Sequence, residues 1–172
     1  MADQLHWRRE STVLSATTFG TFLREFSPPE VCARQFFLQL GARFDKPDSM
    51  RFSGLSATDE RMVRLKYLTK LRSLGLDESK VTDAGLEHLN RLDGLQYLGL
   101  RRTQVTEAGL KHLQGLKSLQ LLEFGHTQVT DAGLEHLKGL AGLKTLYLDD
   151  TKVTDKDVRN LQQALPNCKI SH

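Results

Sequence analysis

Leucines recur along this chain at fixed offsets, and the whole pattern of offsets recurs every 24 residues. Val81-Thr82-Asp83-Ala84-Gly85-Leu86 returns as Val105-Thr106-Glu107-Ala108-Gly109-Leu110 and as Val129-Thr130-Asp131-Ala132-Gly133-Leu134, with a worn copy at Val153-Thr154-Asp155-Lys156-Asp157-Val158. A repeat of this length predicts one supersecondary unit per period. A single unit cannot bury its own leucines, but stacked units bury a continuous column.

Within a unit the apolar spacing changes period. In Leu95-x-x-Leu98-x-Leu100-x-x-Thr103-x-Val105, Leu98 and Leu100 alternate with polar or small neighbours, so they point to one side of a short strand. Thr106 can then cap a helix, and Glu107 suits its positive end. Leu110, Leu113 and Leu116 follow at three-residue spacing, one stripe of a short helix or 3₁₀ segment. Gly94, Ser118 and Gly142 take the turn back to the next strand. Gly85, Gly109 and Gly133 let each helix lie close to its neighbour. Thr103, Thr127 and Thr151 hold a position usually given to asparagine, and their hydroxyls are expected to satisfy turn backbone groups in adjacent units.

The pattern extends in both directions. Stepping back 24 residues puts Met50 and Phe52 on strand positions, Thr58-Asp59 on the Thr-Asp step, and Met62, Leu65 and Leu68 on the helix stripe. Five units therefore begin near residues 47, 71, 95, 119 and 143, the first degenerate, as terminal repeats tend to be. At the other end Leu161 and Leu165 continue the stripe and Pro166 stops it. Cys168-Lys169-Ile170 begins a sixth strand, where Lys169 blunts the edge. The expected fold is an α/β solenoid, right-handed, with one parallel sheet on one face and short helices on the other. Leu98, Leu100, Leu110, Leu113, Leu122, Phe124, Leu134, Leu137, Leu146 and Leu148 are its expected core.

Residues 1–46 follow a different pattern. Thr12-Val13-Leu14 reads equally as a short strand or as part of a disordered stretch. Phe19, Phe22, Leu23 and Phe26 fall at i, i+3, i+4 and i+7, one face of a helix. Ser27-Pro28-Pro29-Glu30 has the form of a capping box and starts a second helix, running to about Leu40, with Gly41 free to take the left-handed C-cap. Val31, Phe36, Phe37 and Leu40 are its expected apolar surface. These residues are expected to form an N-terminal segment and helical cap (1–46) on a solenoid domain (47–172).

From about residue 47 to 170 the chain resembles a leucine-rich-repeat protein of the bacterial type. The Val-Thr-Asp-Ala-Gly-Leu signature is similar to the short repeat proteins of planctomycetes, and to the ribonuclease-inhibitor-like repeats of F-box proteins. For function the resemblance implies only protein–protein binding. The first 46 residues do not read as an F-box, so a ubiquitin-ligase role does not carry over.

Composition narrows the function classes. Basic and acidic residues, 24 and 21, are interspersed, so no stripe is built for phosphate and no nucleic-acid partner is expected. No apolar run approaches the roughly 18 residues of a membrane span, and the first residues lack the apolar core of a signal peptide. Cys32 and Cys168 make no disulfide framework, which favours a reducing, cytoplasmic setting. No nucleophile–base pattern, glycine-rich phosphate loop or zinc spacing appears, so neither enzyme chemistry nor a cofactor is expected. His88, His112 and His136 repeat every 24 residues, but duplication of a Leu-x-His-Leu segment explains them without a metal.

What remains is the concave strand face, the usual binding surface of such folds. The positions expected to be exposed there are Ser49, Arg51 and Ser53; Ser73, Gly75, Asp77 and Glu78; Tyr97, Gly99, Arg101 and Arg102; Leu121, Glu123, Gly125 and His126; Thr145, Tyr147, Asp149 and Asp150. Tyrosine and arginine tend to anchor interfaces, so Tyr97, Arg101, Leu121, Glu123, His126 and Tyr147 form the candidate partner-binding set. Glu123 and Asp149 are expected to neutralise Arg101 and Arg102. The reading is a monomeric intracellular adaptor for a protein partner. The alternative is a self-assembly module that oligomerises through a solenoid end or the convex face.

Overall fold

The computed structural model describes residues 28–52 and 56–172. The expected helix at residues 19–26, the Thr12-Val13-Leu14 segment, the Ser27 cap and Ser53 lie outside the described residues.

Seven strands form one sheet in chain order: β1 (Arg43–Lys46), β2 (Ser49–Arg51), β3 (Ser73–Gly75), β4 (Tyr97–Gly99), β5 (Leu121–Glu123), β6 (Thr145–Tyr147) and β7 (Lys169–Ser171). From β2 onward the pairing is parallel, and each residue faces its counterpart one unit on. Met50, Leu74, Leu98, Leu122, Leu146 and Ile170 thus form a single row. Strands β2 to β7 are three residues long, enough to aim one apolar side chain into the core before the chain turns. The sheet departs from the expected all-parallel form at its start, where β1 pairs antiparallel with β2 through a turn at Pro47-Asp48. Antiparallel neighbours need only a tight turn, whereas a parallel strand needs a whole crossover, so this hairpin closes the edge with few residues.

The return path of each unit starts as a short α-helix: α2 (Asp59–Met62), α3 (Asp83–Leu86), α4 (Glu107–Leu110), α5 (Asp131–Leu134) and the longer α6 (Asp155–Ala164). The first four continue as 3₁₀ turns at Val63–Tyr67, Glu87–Leu89, Lys111–Leu113 and Glu135–Leu137. Three residues per turn match the three-residue leucine spacing, so one stripe stays inward. All ten expected core residues are buried, none more than 1% exposed. Among the described residues no helix is long and apolar enough to cross a membrane.

Units are joined by more than leucine packing. The carboxylate of Asp59 accepts from the backbone N–H and the hydroxyl of Thr82 in the next unit, at 2.8 and 2.6 Å. Asp83 repeats the pair of bonds on Thr106 at the same distances, and Asp131 repeats it on Thr154 at 2.7 and 3.2 Å. The step from Glu107 to Thr130 carries neither bond: the side chain there is one methylene too long. Close approach of successive helices requires the small residue at the third position. A methyl group added at Gly109 would lie 3.1 Å from the Asp83 Cα, and one at Gly133 would lie 3.3 Å from the Glu107 Cα. The threonines at 103, 127 and 151 act differently from expectation. Their hydroxyls donate to Leu100, Phe124 and Leu148 carbonyls three residues back, within their own units, at 2.7–2.8 Å. A threonine side chain is too short to span units as asparagine does.

Helix α1 (Pro28–Gln39) lies at the start of the solenoid. It ends in a Schellman motif: Gly41 is left-handed at φ 83°, and the N–H groups of Ala42 and Gly41 bond the carbonyls of Phe37 and Leu38. Its buried stripe is Glu30, Ala33, Arg34 and Phe37, whereas Val31, Phe36 and Leu40 are only half-buried. Phe37 meets Phe52 edge to face, with centroids 5.5 Å apart. Two charges enter this stripe because they serve each other and the hairpin. Arg34 pairs with Glu30 at 3.5 Å, donates to the Pro47 carbonyl and lies 4.8 Å from the Phe44 ring. The cation thereby fastens α1 to the β1–β2 turn.

Candidate functional site

The open face of the sheet, opposite the leucine column, carries the six candidate residues, and the pairing sets which of them meet. Tyr97 on β4 stands beside Leu121 on β5, while Glu123 on β5 stands beside Tyr147 on β6. Arg101 is exposed just past β4. His126 sits further along the loop edge and pairs with Asp150 at 3.1 Å, so it adjoins the others without joining them.

The glycines on this face are covered, contrary to expectation: Gly75, Gly99 and Gly125 are all buried. Long side chains of neighbouring positions lie over Gly75 and Gly99, and the Asp149 backbone lies against Gly125. A methyl group at Gly75 would meet Arg51 Cγ at 2.7 Å. One at Gly99 would meet Asp77 Oδ2 at 2.6 Å and the Tyr97 hydroxyl at 2.8 Å. Tyr97 is therefore half-buried, its ring folded along its own strand.

Beyond the strands the chain turns through one left-handed residue per unit: Glu78, Arg102, His126 and Asp150, with φ between 53° and 57°. This conformation costs a non-glycine residue roughly 1–2 kcal/mol. It aims the N–H of Glu78, Arg102 and His126 at the carbonyls of Arg101, Gly125 and Asp149, at 2.8–3.0 Å, continuing the inter-unit ladder around the bend. The same geometry aligns the four side chains along the rim, where Arg102 pairs with Glu78 at 2.9 Å. The expected neutralisation of Arg102 by Glu123 or Asp149 is not made: Glu78, directly alongside in the row, reaches it first.

Charge on the open face is mixed. Arg51 is taken by Asp45 at 2.7 Å. Among the described residues on this face Asp77, Glu123 and Asp149 make no ion pair, and neither do Arg43, Arg101 and Lys169. Asp77 Oδ1 accepts the Arg101 backbone N–H at 2.8 Å, and Asp149 accepts from the Ser171 hydroxyl at 3.2 Å. Burial, then Asp77 and Glu123, push the Tyr97 hydroxyl up to about 12. Burial, then Asp77, also raise the Glu123 carboxyl above its ordinary range, with Arg101 opposing. A shallow hollow of about 340 Å³ lies between Asp77, Glu78, Arg101, Arg102 and Glu123.

Asp77 is the site member that the choice of candidates missed. Its signal was Gly99, the bare position two residues after Tyr97 and one unit from Gly75. On the helix side His88, His112 and His136 are half-buried, and His136 Nδ1 is 2.8 Å from Gln114 Nε2. Among the described residues no group of three or more His, Cys, Asp or Glu side chains is arranged to hold a metal. The open face offers phenol rings, a leucine, acceptors and unpaired cations, which equips it for binding.

No protein-family model matches the sequence, and no curated protein sequence matches it. Solved structures do resemble it. An internalin from Listeria monocytogenes matches over 63% of this chain and 30% of its own, with 22% identity and a TM-score of 0.55. A leucine-rich-repeat protein of Leptospira interrogans matches over 64% of this chain and 27% of its own, at 26% identity and 0.52. The leucine-rich-repeat ectodomain of a receptor kinase from Arabidopsis thaliana matches over 84% and 91%, at 14% identity and 0.55. This chain spans less than a third of the first two structures' length. The fold is that of a leucine-rich-repeat solenoid, an architecture generally used for protein interaction.

Proposed function

We propose that this leucine-rich-repeat protein is a protein-interaction module whose open sheet face binds a macromolecular partner. The contact set is Tyr97, Arg101, Leu121, Glu123, His126 and Tyr147. The observation that carries the reading is the half-exposed apolar set on three successive strands: Tyr97, Leu121 and Tyr147. Aromatic residues with a nearby arginine, rimmed by paired charges, make up the usual centre of an interface.

The further reading is of a bacterial, cytoplasmic, monomeric adaptor without catalytic activity. It works without nucleic acid, membrane or cofactor. Its support is the mixing of charge along the chain and two cysteines that stand as free thiols, Cys32 exposed and Cys168 buried. Static light scattering over a wide concentration range tests the monomer: mass rising with concentration would favour self-assembly instead.

The binding face is tested with paired variants and a partner purified from extract of the source organism. Tyr97→Ala with Tyr147→Ala is expected to weaken binding at least tenfold with an unchanged circular dichroism spectrum. His88→Ala with His112→Ala, on the helix side, is expected to leave it intact. The reverse result would move the site to the helix face.

A further inference from the structure

Acidic and basic residues are interspersed along the sequence, but the fold sorts them in space. Each unit runs out from strand to helix and returns through its 3₁₀ turn to the next strand. The outward segments, 73–86, 97–110, 121–134 and 145–158, carry ten acidic and five basic residues. The return segments, 63–72, 87–96, 111–120, 135–144 and 159–168, carry ten basic residues against three acidic ones, Glu87, Asp93 and Glu135. Helix dipoles do not account for the excess: α-helical geometry ends at Met62, Leu86, Leu110 and Leu134, and two of the residues that follow are glutamates. Successive return turns pack side by side, so these charges share one edge of the solenoid. Lys66, Arg91, Lys117 and Lys138 set one cation on each of four consecutive units, over about 15 Å. Lys138 pairs with Glu135 at 2.6 Å, and Arg72, nearer the sheet, pairs with Asp48 at 3.7 Å. Lys66, Arg91 and Lys117 are exposed and make no ion pair among the described residues; Lys117 Nζ donates to the Gly139 carbonyl at 3.0 Å. Apolar surface lies in the same place. Val63 and Tyr67, each 40% exposed, stand on the first return turn, where residues 61–72 hold five cations and no carboxylate.

We infer that this return edge is a second docking surface and that its partner is an acidic protein segment. The segment lies across the units, with carboxylates on Lys66, Arg91 and Lys117 and an apolar side chain on Val63 and Tyr67. The surface is separate from the open sheet face and does not depend on it. An extended chain rises about 3.3 Å per residue, so about five residues span the four cations. Each carboxylate gains a charge-assisted hydrogen bond, and the summed field of the edge speeds encounter. A protein segment suits this edge better than a phosphate polymer. Glu87, Asp93 and Glu135 interrupt the cations, and a uniform row of phosphates would have to pass them, whereas a protein can set a neutral or basic residue there. Val63 and Tyr67 offer apolar contact that a phosphate backbone does not use. A lipid surface fits less well, because the return turns are three to five residues long and present no extended apolar face to lie in a bilayer.

The experiment pans a random peptide display library against the full chain, after depletion on the triple variant Lys66→Gln, Arg91→Gln and Lys117→Gln, and measures the affinity of the selected synthetic peptides. The three side chains are exposed, so the triple variant should keep the parent's circular dichroism spectrum. The selected peptides are expected to share two or more aspartates or glutamates beside an apolar residue. Their binding should weaken at least tenfold on the triple variant, and at least tenfold on raising salt from about 50 to about 300 mM. Tyr67→Ala should weaken it about threefold at either salt concentration. Lys80→Gln with Lys152→Gln, exposed on the outward segments, should leave it unchanged. Selected peptides without acidic residues would overturn the inference. An equal loss on the Lys80 and Lys152 variant would do so too, since it would show attraction to net charge alone. A short DNA duplex and vesicles containing phosphatidylserine are measured alongside, and tighter binding of either than of the best peptide would overturn the protein partner.

Discussion

The ladder of aspartates between units lacks one rung, and supplying it is a stringent test of how the units are joined. At three steps an aspartate accepts both the N–H and the hydroxyl of the threonine one unit on. At the fourth, Glu107 faces Thr130 without either bond. The backbones at this step are spaced almost as at the step before: a methyl at Gly133 would lie 3.3 Å from the Glu107 Cα, against 3.1 Å for Gly109 and the Asp83 Cα. An aspartate at 107 would therefore find Thr130 where Asp83 finds Thr106. Glutamate already supplies a negative charge at the helix start, so the dipole contribution cancels in the exchange. What is gained is two hydrogen bonds to a carboxylate, nominally about 1.5–3 kcal/mol each; at a half-exposed step water competes, and together they should give about 1–2 kcal/mol. In a chain of this size that raises Tm by about 2–6 °C. Thermal unfolding followed by circular dichroism should show this rise for Glu107→Asp and a matching fall for Asp83→Glu. No change in either variant, or a fall for Glu107→Asp, would refute the ladder as a source of stability.

Other consequences follow from the core, the cap and the open face. Leu122→Ala, at a fully buried position in the middle of the leucine row, should cost about 2–5 kcal/mol in urea unfolding, and a loss below about 0.5 kcal/mol would mean that the site is not core. Deleting residues 1–45 removes α1 and all of β1 but Lys46 and uncovers Phe52 and Met50, so the remainder should aggregate; a soluble, cooperatively folding fragment would show the cap to be dispensable. The Glu123 carboxyl titrates above its ordinary range in the fold, so its ionisation opposes folding: stability is full below the unfolded value and is lost as pH rises through the folded one. Glu123→Gln should accordingly have the higher urea midpoint near neutral pH, and the advantage should vanish in acid.

The repeated part of the fold was readable because each unit states the same pattern, and strand, cap, glycine and leucine stripe sit at the same offsets every time. The unreadable parts are those where the partner lies in another unit or another element. Arg43-Phe44-Asp45-Lys46 has no apolar alternation, since an edge strand with charges on its outer side buries little, and β1 was missed. Glu30 has the place of a capping-box residue in the sequence and nothing there marks Arg34; only the adjoining hairpin turns the two inward as a pair. Asp59, Asp83 and Asp131 were legible as favourable charges at helix starts, but their bonds to threonines 23 residues on depend on how the units stack. At the site, alternation placed Tyr97, Leu121, Glu123 and Tyr147 on the open face correctly. It also counted Gly75, Gly99 and Gly125 as open, because strand geometry alone does not reveal side chains that lie across the sheet.

The central claim is that a partner occupies the open sheet face, and nuclear Overhauser contacts between a bound partner and isotope-labelled protein measure this directly. The account predicts contacts from the partner to the Leu121 methyls and to the Tyr97 and Tyr147 rings. Contacts instead to the His88, His112 and His136 rings, with none to Tyr97 or Leu121, would contradict it.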